Sequence, residues 1–394
     1  MIAEVTGSVA FGIWLYLAAG RGGFWRMPAP NRAIARESPP ERSIAAIVPA
    51  RNEADLVGRA LASLFAQDFA GRRIVFLVDD HSTDGTAEAA QRAAQLAGAA
   101  DRLNVVRARP LPTGWTGKVW AQAEGLRAAQ GDQADFYLLT DADIQHPPHE
   151  LAELVACAET GNYDMVSLMA RLWCESPAEQ ALIPAFVFFF FMLYPPAWVA
   201  RTDRRTAAAA GGCMLVRRAA LERIGGLEVI RGELIDDCAL ARAVKQGGGI
   251  WLAAAQETRS LRPYSGWRGI GAMIARTAFA QLRHSPLLLA ATLAGMVVTF
   301  LTSPVLLAFA AWPAASATTF LWPAILGGGA WMLMSLLYWP TLRFYRCSPL
   351  WAPLLPLIAC FYMGATVCSA VLYWRGAGGR WKGRVQDSAL RRDS

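Results

Sequence analysis

Paired cysteines and clustered histidines are scarce in this chain of 394 residues. Its seven cysteines are scattered without CxxC spacing and its four histidines are dispersed, so the pattern predicts no structural zinc site. The lack of a regular cysteine framework also favours a reduced compartment over a disulfide-linked, secreted fold. Charged residues make up only 18% of the chain and apolar residues 54%, which is more apolar sequence than one soluble domain needs.

A nucleic-acid partner is not expected, although the net charge is +7. The part of the chain that alternates strands and helices has no basic stripe with interleaved aromatic residues. The positive charge is concentrated beside apolar segments instead. We therefore expect the basic residues to face an anionic membrane surface.

Long apolar runs predict a membrane-attached protein. Residues 2–19 are apolar apart from Glu4 and are followed by arginines, an order that predicts an uncleaved anchor rather than a signal peptide. Three C-terminal runs, near 287–312, 320–339 and 351–374, are each long enough to cross a hydrocarbon core of about 30 Å. We therefore predict a multi-pass protein of the inner (cytoplasmic) membrane.

Arginines flank these apolar runs on the side of the α/β part of the chain. The positive-inside rule therefore predicts that this part faces the cytoplasm. Three further crossings would leave the C-terminal tail outside, yet that tail is basic and prefers the inside. A re-entrant last segment, which contains Pro353, Pro356 and Gly364, would resolve the conflict. The flanking arginines are Arg21, Arg26, Arg32, Arg36, Arg259, Arg262, Arg268, Arg276 and Arg283.

Apolar runs typical of strands begin at Ser43, Arg73, Asn104 and Phe136, and helical spacing separates the first three. This alternation predicts an α/β fold with a mainly parallel sheet. Parallel sheets bind ligands beyond the carboxyl ends of their strands. Asp80 and the motif 141–143 follow two of these ends, so we expect them to line one crevice.

The most informative motif is the pair of aspartates in Thr140-Asp141-Ala142-Asp143. Strand alternation predicts that Asp141 and Asp143 point to the same side, where they can share one divalent cation. Mg2+ prefers oxygen ligands and often binds together with substrate phosphates. Taken alone, the two carboxylates fit a solvated turn better, and Asp80 alone fits a helix-entry turn equally well, so the motif depends on its neighbours.

Five ordered motifs resemble the nucleotide-sugar-binding half of a family 2 glycosyltransferase with the GT-A fold. They are Pro49-Ala50-Arg51-Asn52-Glu53, Val78 to Thr86, Gly117-Lys118-Val119-Trp120-Ala121, Thr140 to Asp143, and Ile235-Asp236-Asp237-Cys238-Ala239-Leu240. The resemblance implies an inverting glycosyltransferase that uses Mg2+ or Mn2+ and a nucleotide-sugar donor, with a UDP-sugar favoured.

A closer resemblance is to the hopanoid-biosynthesis-associated branch of these transferases, and it covers the chain from the first helix to about Leu289. It implies that the acceptor is a lipid of the hopanoid type. The residues that carry it are Arg21 to Trp25, Pro112 to Lys118, Cys174-Glu175-Ser176, Ile183 to Phe190, and Thr206 to Arg218.

The family's roles carry over residue by residue. The expected metal ligands are Asp143 and Asp141. The expected general base is Asp237, supported by Asp236, although both also fit the N-cap of a helix over 238–245. The expected nucleotide-sugar-binding residues are Pro49, Ala50, Arg51, Glu53, Asp80, Lys118 and Asp141, and the expected acceptor region holds Phe186, Phe190, Gly211, Gly212 and Gln281. Lys118 fits a solvated loop equally well.

The phenylalanine-rich run 182–200 is nearly long enough to cross a membrane. A crossing here would put Asp237 on the opposite side from Asp143, so we expect the run to lie in the membrane interface and open the acceptor site to lipid. A wholly buried core helix is the alternative. The neighbouring arginines are expected to be interfacial anchors; they are Arg201, Arg204 and Arg205.

Two other functions remain open at this point. A polyprenyl-phosphate sugar synthase has an anionic acceptor, which the arginines at 201–205 would contact. A non-catalytic membrane scaffold predicts a damaged acidic motif, and none is damaged. Processive synthases of this fold carry a Gln-x-x-Arg-Trp motif that is missing from residues 276–284, so we expect transfer of a single sugar.

The predicted domains follow from these patterns. They are an N-terminal transmembrane anchor at 1–20, a linker at 21–42, a GT-A domain at 43–285 with the interfacial segment 182–200, C-terminal membrane helices at 286–375, and a basic tail at 376–394.

Overall fold

The computed structural model describes residues 2–28, 42–311, 317–381 and 384–385. The chain divides into two compact units. The helical unit contains Met1–Met27, Cys174–Ala197 and Tyr264–Gly378, and the sheet unit contains Pro28–Trp173, Trp198–Pro263 and Gly379–Ser394. Much of the predicted linker 21–42 and of the predicted tail 376–394 lies outside the described residues.

The strands of the described residues lie in the sheet unit. They are β1 Ile44–Ala50, β2 Arg73–Asp79, β3 Leu103–Arg107, β4 Phe136–Thr140, β5 Ile144–Gln145, β6 Tyr163–Arg171, β7 Cys213–Arg217, β8 Gly249–Ser260, β9 Arg380–Trp381 and β10 Arg384–Val385. The helices of the described residues are α1 Ile2–Ala19, α2 Ala54–Phe65, α3 Thr86–Leu96, α4 Gly117–Ala129, α5 Glu150–Thr160, α6 Pro177–Leu193, α7 Pro196–Val199, α8 Arg218–Arg223, α9 Asp236–Lys245, α10 Gly266–Gln281, α11 Pro286–Met296, α12 Thr302–Ala310, α13 Ala317–Tyr345 and α14 Leu355–Trp374.

The main sheet has eight strands in the order β3-β2-β1-β4-β7-β6-β8-β5. Strands β3, β2, β1 and β4 are parallel, as the alternation of strands and helices predicts. Strand β7 runs antiparallel to β4 and β6, while β8 is parallel to β6. The carboxyl ends of β1, β2, β4, β6 and β8 therefore share one edge of the sheet with the start of β7.

Burial on both faces explains the continuous apolar runs of the central strands. Every residue of β1 and β4 is buried, which is typical of parallel strands covered by helices on both sides. Ile44, Leu77, Leu138 and Leu215 belong to one apolar core. Each such side chain contributes about 1.5–3 kcal/mol when it leaves water. The rigid core fixes where the strand ends, and the polar loops beyond them, are positioned.

The helical unit is held by aromatic contacts and a few buried hydrogen bonds. Trp14 of α1 donates its indole N–H to the carbonyl of Thr299, 2.8 Å away, and Tyr362 of α14 donates to the carbonyl of Leu182 in α6 at 2.8 Å. Helix α6 begins with a capping box, in which the Ser176 hydroxyl accepts from the backbone N–H of Glu179 and the Glu179 carboxylate accepts from the Ser176 N–H.

Four helical segments of the described residues are long and apolar enough to cross a membrane. They are Pro177–Val199, Pro286–Ala310, Leu321–Tyr345 and Leu355–Trp374, and α1 is a shorter apolar helix. The three predicted C-terminal segments thus coincide with helices of spanning length. Many large apolar side chains on them are exposed, among them Leu287, Trp322 and Trp374, as expected for helices that face lipid.

The division into units does not follow the predicted domain bounds throughout. The bounds assign residues 264–285 to the GT-A domain, whereas they lie in the helical unit because α10 packs on α14, where Phe279 donates its N–H to the Ser369 hydroxyl at 3.0 Å. Most of the predicted interfacial run 182–200 also lies in the helical unit.

Candidate active site

Polar residues converge where the strands of the sheet unit end. Arg51 follows β1, Asp80 follows β2, and Asp141 follows β4. Because β4 and β7 are antiparallel, with Thr140 opposite Cys213, the glycines that precede β7 lie at the same edge. The loops that follow these carboxyl ends therefore share one edge of the sheet, and Asp236 at the N-terminus of α9 reaches the same edge through Lys118.

Lys118 joins the two acidic motifs of this crevice. It lies in the first turn of α4, and its ammonium group is 2.8 Å from Asp141 Oδ1 and 3.5 Å from Asp236 Oδ2. Its side chain is only 18% exposed, so the alternative of a solvated loop lysine is wrong. Burial would lower the pKa of Lys118, but Asp141, Asp236 and Asp237 raise it well above its ordinary value, so the group is a permanent cation.

Asp143 is held by a different cation. Its Oδ2 accepts from Arg262 Nε at 2.9 Å, and the same guanidinium donates from Nη2 to Glu53 Oε2. Strand β4 ends at Thr140, and residues 141–143 form a turn. The prediction that strand alternation points Asp141 and Asp143 to the same side is therefore wrong, because these residues are not in a strand. The two carboxylates are still close enough to interact: burial raises the pKa of Asp143, and the negative charge of Asp141 raises it further.

Asp237 is partly buried in the first turn of α9. Its Oδ2 accepts from the backbone N–H of Gly211 at 2.9 Å, and its Oδ1 accepts from the N–H of Cys238 at 2.7 Å. The N-cap of α9 is Ile235, so the acidic pair occupies the first helical turn rather than the cap position, where negative charge still stabilises the helix. Burial, followed by the charge of Asp236, raises the pKa of Asp237 to about 6, against the opposing effect of Lys118.

Asp80 and Arg51 form the part of the crevice beside β1 and β2. The Asp80 side chain is 1% exposed and lies 3.6 Å from Arg51 Nη1, which also donates to the Asp80 carbonyl at 2.5 Å. The Asp80 N–H donates to the carbonyl of Ala50 at 2.9 Å, which extends the ladder between β1 and β2 by one residue. Pro49 and Ala50 are buried in β1 itself, so their contribution at the crevice is backbone.

The charges of the named side chains fit a divalent cation. Six carboxylates (Glu53, Asp80, Asp141, Asp143, Asp236 and Asp237) and three basic groups (Arg51, Lys118 and Arg262) lie at this edge of the sheet. An excess of three negative charges opposes the entry of a diphosphate unless a cation accompanies it. Oxygen donors at Asp141 and Asp143 are the type that Mg2+ and Mn2+ prefer.

A second group of metal-ligand residues is buried beneath the 141–143 turn. His146, Glu150 and Cys213 place ligand atoms within 4.8 Å of one another, an arrangement that the spacing of the cysteines and histidines did not reveal. Each ligand atom of the first two residues already has a partner. The imidazole bonds to Glu150 and to the Thr140 hydroxyl, the latter at 2.9 Å, and Thr258 donates to Glu150. The group is therefore explained as a hydrogen-bond network under the turn.

The predicted acceptor residues are divided between the two units. Gly211 and Gly212 lie in the sheet unit, where the carbonyl of Gly212 accepts from the Thr140 hydroxyl at 2.7 Å. Phe190 and Gln281 lie in the helical unit and meet at Tyr194: the Phe190 ring packs 5.3 Å from its ring, and Gln281 Nε2 donates to its hydroxyl at 2.5 Å. Phe186 is on the same helix as Phe190, α6.

The Lys118 bridge restricts how the chain can cross a membrane. Asp141 and Asp236 share one ammonium group, so they lie on the same side of any bilayer. Between them, the described residues contain one helix of spanning length, Pro177–Val199, and its spanning window is 61% buried. A single crossing there is incompatible with the shared lysine.

Arg262 is the site residue that sequence reasoning missed. It was grouped with the arginines that flank membrane segments, whereas it contacts Asp143 and Glu53. The available signal was its position two residues after β8, at the sheet edge where the other strands end.

Part of the chain is similar in sequence to known glycosyltransferases. Residues 45–225 match the model for glycosyl transferase family 2. The undecaprenyl-phosphate 4-deoxy-4-formamido-L-arabinose transferase of Edwardsiella ictaluri (strain 93-146) is 34% identical over 130 residues, which is 32% of this chain and 37% of that protein. The chain thus spans little more than a third of the length of this curated relative.

A solved mannosyltransferase structure shares the fold. The mannosyltransferase PcManGT from Pyrobaculum calidifontis, in complex with GDP-Man and Mn2+, superposes with a TM-score of 0.56 at 22% identity, covering 95% of this chain and 98% of that one. Glucosyl-3-phosphoglycerate synthase from Mycobacterium tuberculosis, in complex with Mn2+, UDP and phosphoglyceric acid, reaches 0.40 at 18% identity, covering 64% of this chain and 80% of that one. The mainly parallel sheet has the GT-A fold, and the similarity to glycosyl transferase family 2 covers residues 45–225.

Proposed function

We propose that this protein is a membrane-bound inverting glycosyltransferase that moves one sugar from a nucleoside diphosphate sugar to the hydroxyl of a lipid. The observation that carries the proposal is the Lys118 bridge, which joins the 141–143 motif to the acidic pair of α9. A leaving-group site and a candidate base thereby lie around one partly buried cation. The family match and the apolar helices support a transferase that works on lipid.

Asp143 and Asp141 are the residues that would hold the divalent cation, Mg2+ or Mn2+. A cation bound there neutralises negative charge that develops on the departing diphosphate. Lys118 adds a second, permanent positive charge beside Asp141, so it stabilises the same charge without a change of protonation. Arg51, Glu53 and Asp80 form the remaining wall of the proposed nucleotide site.

Asp237 is the proposed general base. The acceptor hydroxyl must lose its proton while it attacks the anomeric carbon, and a base works best when its pKa is close to the ambient pH. The raised pKa of Asp237 meets this condition better than an ordinary carboxylate does. The two backbone amides on its oxygens hold the carboxylate in one orientation, and Asp236 keeps Lys118 beside it.

The acceptor is proposed to be a neutral lipid alcohol of the hopanoid type. The support is the resemblance to the hopanoid-associated branch and the apolar helices, which would bring a membrane lipid to the enzyme. The catalytic domain is proposed to face the cytoplasm from the inner membrane, where nucleotide sugars are made.

A polyprenyl phosphate is the second candidate acceptor. The specific observation in its favour is the curated relative, which is an undecaprenyl-phosphate sugar transferase by name. The exposed arginines at 201, 204 and 205 would contact the phosphate of such a lipid.

The two acceptors are separated by one assay on purified protein with Mn2+ and a panel of UDP- and GDP-sugars. Each donor is incubated with a hopanoid alcohol or with undecaprenyl phosphate in the same detergent, and lipid products are identified by mass spectrometry. A glycosylated alcohol supports the first candidate and a glycosylated phosphate the second. If neither lipid gains a sugar from any donor, the proposed function is wrong.

The proposed site predicts that Gly211→Ala slows catalysis. A Cβ atom at this position would lie 2.9 Å from Lys118 Nζ and 3.4 Å from Asp237 Oδ2, so the ammonium group must move away from the two acidic motifs. We expect kcat to fall about 10- to 100-fold, with little change in the temperature of unfolding. Gly131→Ala is the matched control, because no atom lies within 4 Å of its added Cβ. Equal rates for the two variants would contradict the role of this loop.

The pH profile follows from the base assignment. A base acts only when it is deprotonated, so kcat/KM should be constant above the pKa of Asp237, about 6, and fall about tenfold per pH unit below it. Asp236→Asn removes a charge that raises this pKa, so its acid limb should move to lower pH. An acid limb at the same pH in wild type and Asp236→Asn would show that another group titrates.

A further inference from the structure

Arg262 connects two loops that the proposed function assigns to the donor. Its Nε donates to Asp143 Oδ2 at 2.9 Å, and its Nη2 donates to Glu53 Oε2. Asp143 is the proposed metal ligand, and Glu53 lies in the loop after β1. The guanidinium therefore neutralises the carboxylate to which a divalent cation would bind.

We infer that Arg262 is a counter-ion that the divalent cation displaces from Asp143, and that the displaced guanidinium then binds the diphosphate of the donor. The inference rests on the proposed function, since it needs a metal-dependent nucleotide sugar. It assigns to Arg262 two successive partners, a carboxylate before the cation binds and a phosphate afterwards.

Competition for one oxygen supports the first step. Arg262 Nε engages Asp143 Oδ2, and the Ser260 hydroxyl also donates to that atom at 3.4 Å. The backbone of this region is fixed, because the Leu261 N–H donates to the Asp143 carbonyl at 2.8 Å and the Arg262 N–H to Ser260 Oγ at 3.3 Å. A cation that binds Oδ2 must therefore displace the guanidinium by a change of side-chain rotamer rather than of the strand end.

The remaining contact determines where the displaced guanidinium can go. Its Nη2 donates to Glu53. This hydrogen bond can remain when the hydrogen bond between Arg262 Nε and Asp143 is broken. The side chain is 38% exposed and Glu53 only 10%, so the mobile partner is the arginine. A planar guanidinium with several N–H donors matches phosphate oxygens, and a diphosphate on the cation would lie beside it.

Binding of Mn2+ without nucleotide, followed by electron paramagnetic resonance, tests the first step. Arg262→Gln removes the competing charge, so we expect Mn2+ to bind more tightly by about tenfold. Arg259→Gln is the matched control, because Arg259 is exposed and its Nε donates to the neutral Gln145 Oε1 at 2.9 Å. If Arg262 only braces the two loops, its removal loosens Asp143, and Mn2+ binding will be unchanged or weaker; either result overturns the inference.

Calorimetry with UDP and GDP at saturating Mn2+ tests the second step. Arg262→Gln should bind the preferred nucleotide about tenfold more weakly than wild type does, although it binds the metal more tightly. Arg262→Lys is the second variant, to be used if the glutamine variant does not fold. It retains one positive charge, so its Mn2+ affinity should stay near that of wild type, whereas its nucleotide affinity should fall. Nucleotide affinity equal to wild type in both variants overturns the second step. Wild-type protein that binds no Mn2+ at all would instead contradict the proposed function.

Discussion

Asp237→Asn is expected to reduce kcat by about 10²- to 10⁴-fold while donor binding changes little. The amide has the shape of the carboxylate and its oxygen can still accept the N–H of Gly211, but it cannot take the proton of the acceptor hydroxyl. Steady-state kinetics on the lipid product measure the loss, and calorimetry with the nucleotide sugar measures the binding.

Asp236→Asn is the matched variant for this result. Asp236 lies 3.5 Å from Lys118, so its role is to position the cation, and its rate should fall between wild type and Asp237→Asn. If Asp236→Asn is the inactive variant and Asp237→Asn the mild one, the base assignment is off by one residue.

Removal of the metal is expected to abolish turnover. Without a cation, the excess of carboxylates over basic groups in the crevice repels the diphosphate, so chelation should remove both activity and nucleotide binding, and Mg2+ or Mn2+ should restore them. In the presence of metal, Asp143→Asn should also abolish nucleotide binding, whereas Asp237→Asn should leave nucleotide binding nearly unchanged.

The control for Asp143→Asn is Asp132→Asn. Asp132 pairs with Arg72 before the amino end of β4, at the other end of the strand from the crevice, so its loss should leave metal and nucleotide binding unchanged. Full turnover in chelator, or an Asp143→Asn protein with wild-type nucleotide binding, would remove the cation from the mechanism.

The sequence was most informative where a motif is local. The strand ends at Ala50, Asp79 and Thr140 are marked by abrupt changes from apolar to polar residues, and the parallel order of their strands brings the following loops together. Strand alternation failed at Asp141 and Asp143 because β4 ends at Thr140 and a turn follows, where the period of two no longer applies.

Contacts between distant parts of the chain could not be predicted. Arg262 pairs with Glu53 across 209 residues, and Thr258 donates to Glu150 across 108, and neither pairing has a local pattern. Periodicity predicts which face of an element is buried, but not which side chain of a distant loop will meet it. The need for a glycine at 211 is likewise set by Lys118 and Asp237.

The helices of spanning length could be predicted because length and hydropathy are properties of each segment by itself. The run 182–200 was harder, because its composition resembles that of a spanning helix, whereas its burial and the shared lysine of the sheet unit argue against a crossing. Excluding a crossing requires the contacts of Lys118 with both Asp141 and Asp236. The sequence alone could exclude a crossing only on the assumption that the two acidic motifs serve one site.

The central claim is that a cation on Asp143 and the base Asp237 act on one sugar in a single displacement. Proton NMR of the lipid product, recorded on purified product from the identified donor, gives its anomeric configuration. A single displacement with Asp237 as base predicts the configuration opposite to that of the donor. A product with the same configuration as the donor would contradict the single displacement and the role proposed for Asp237.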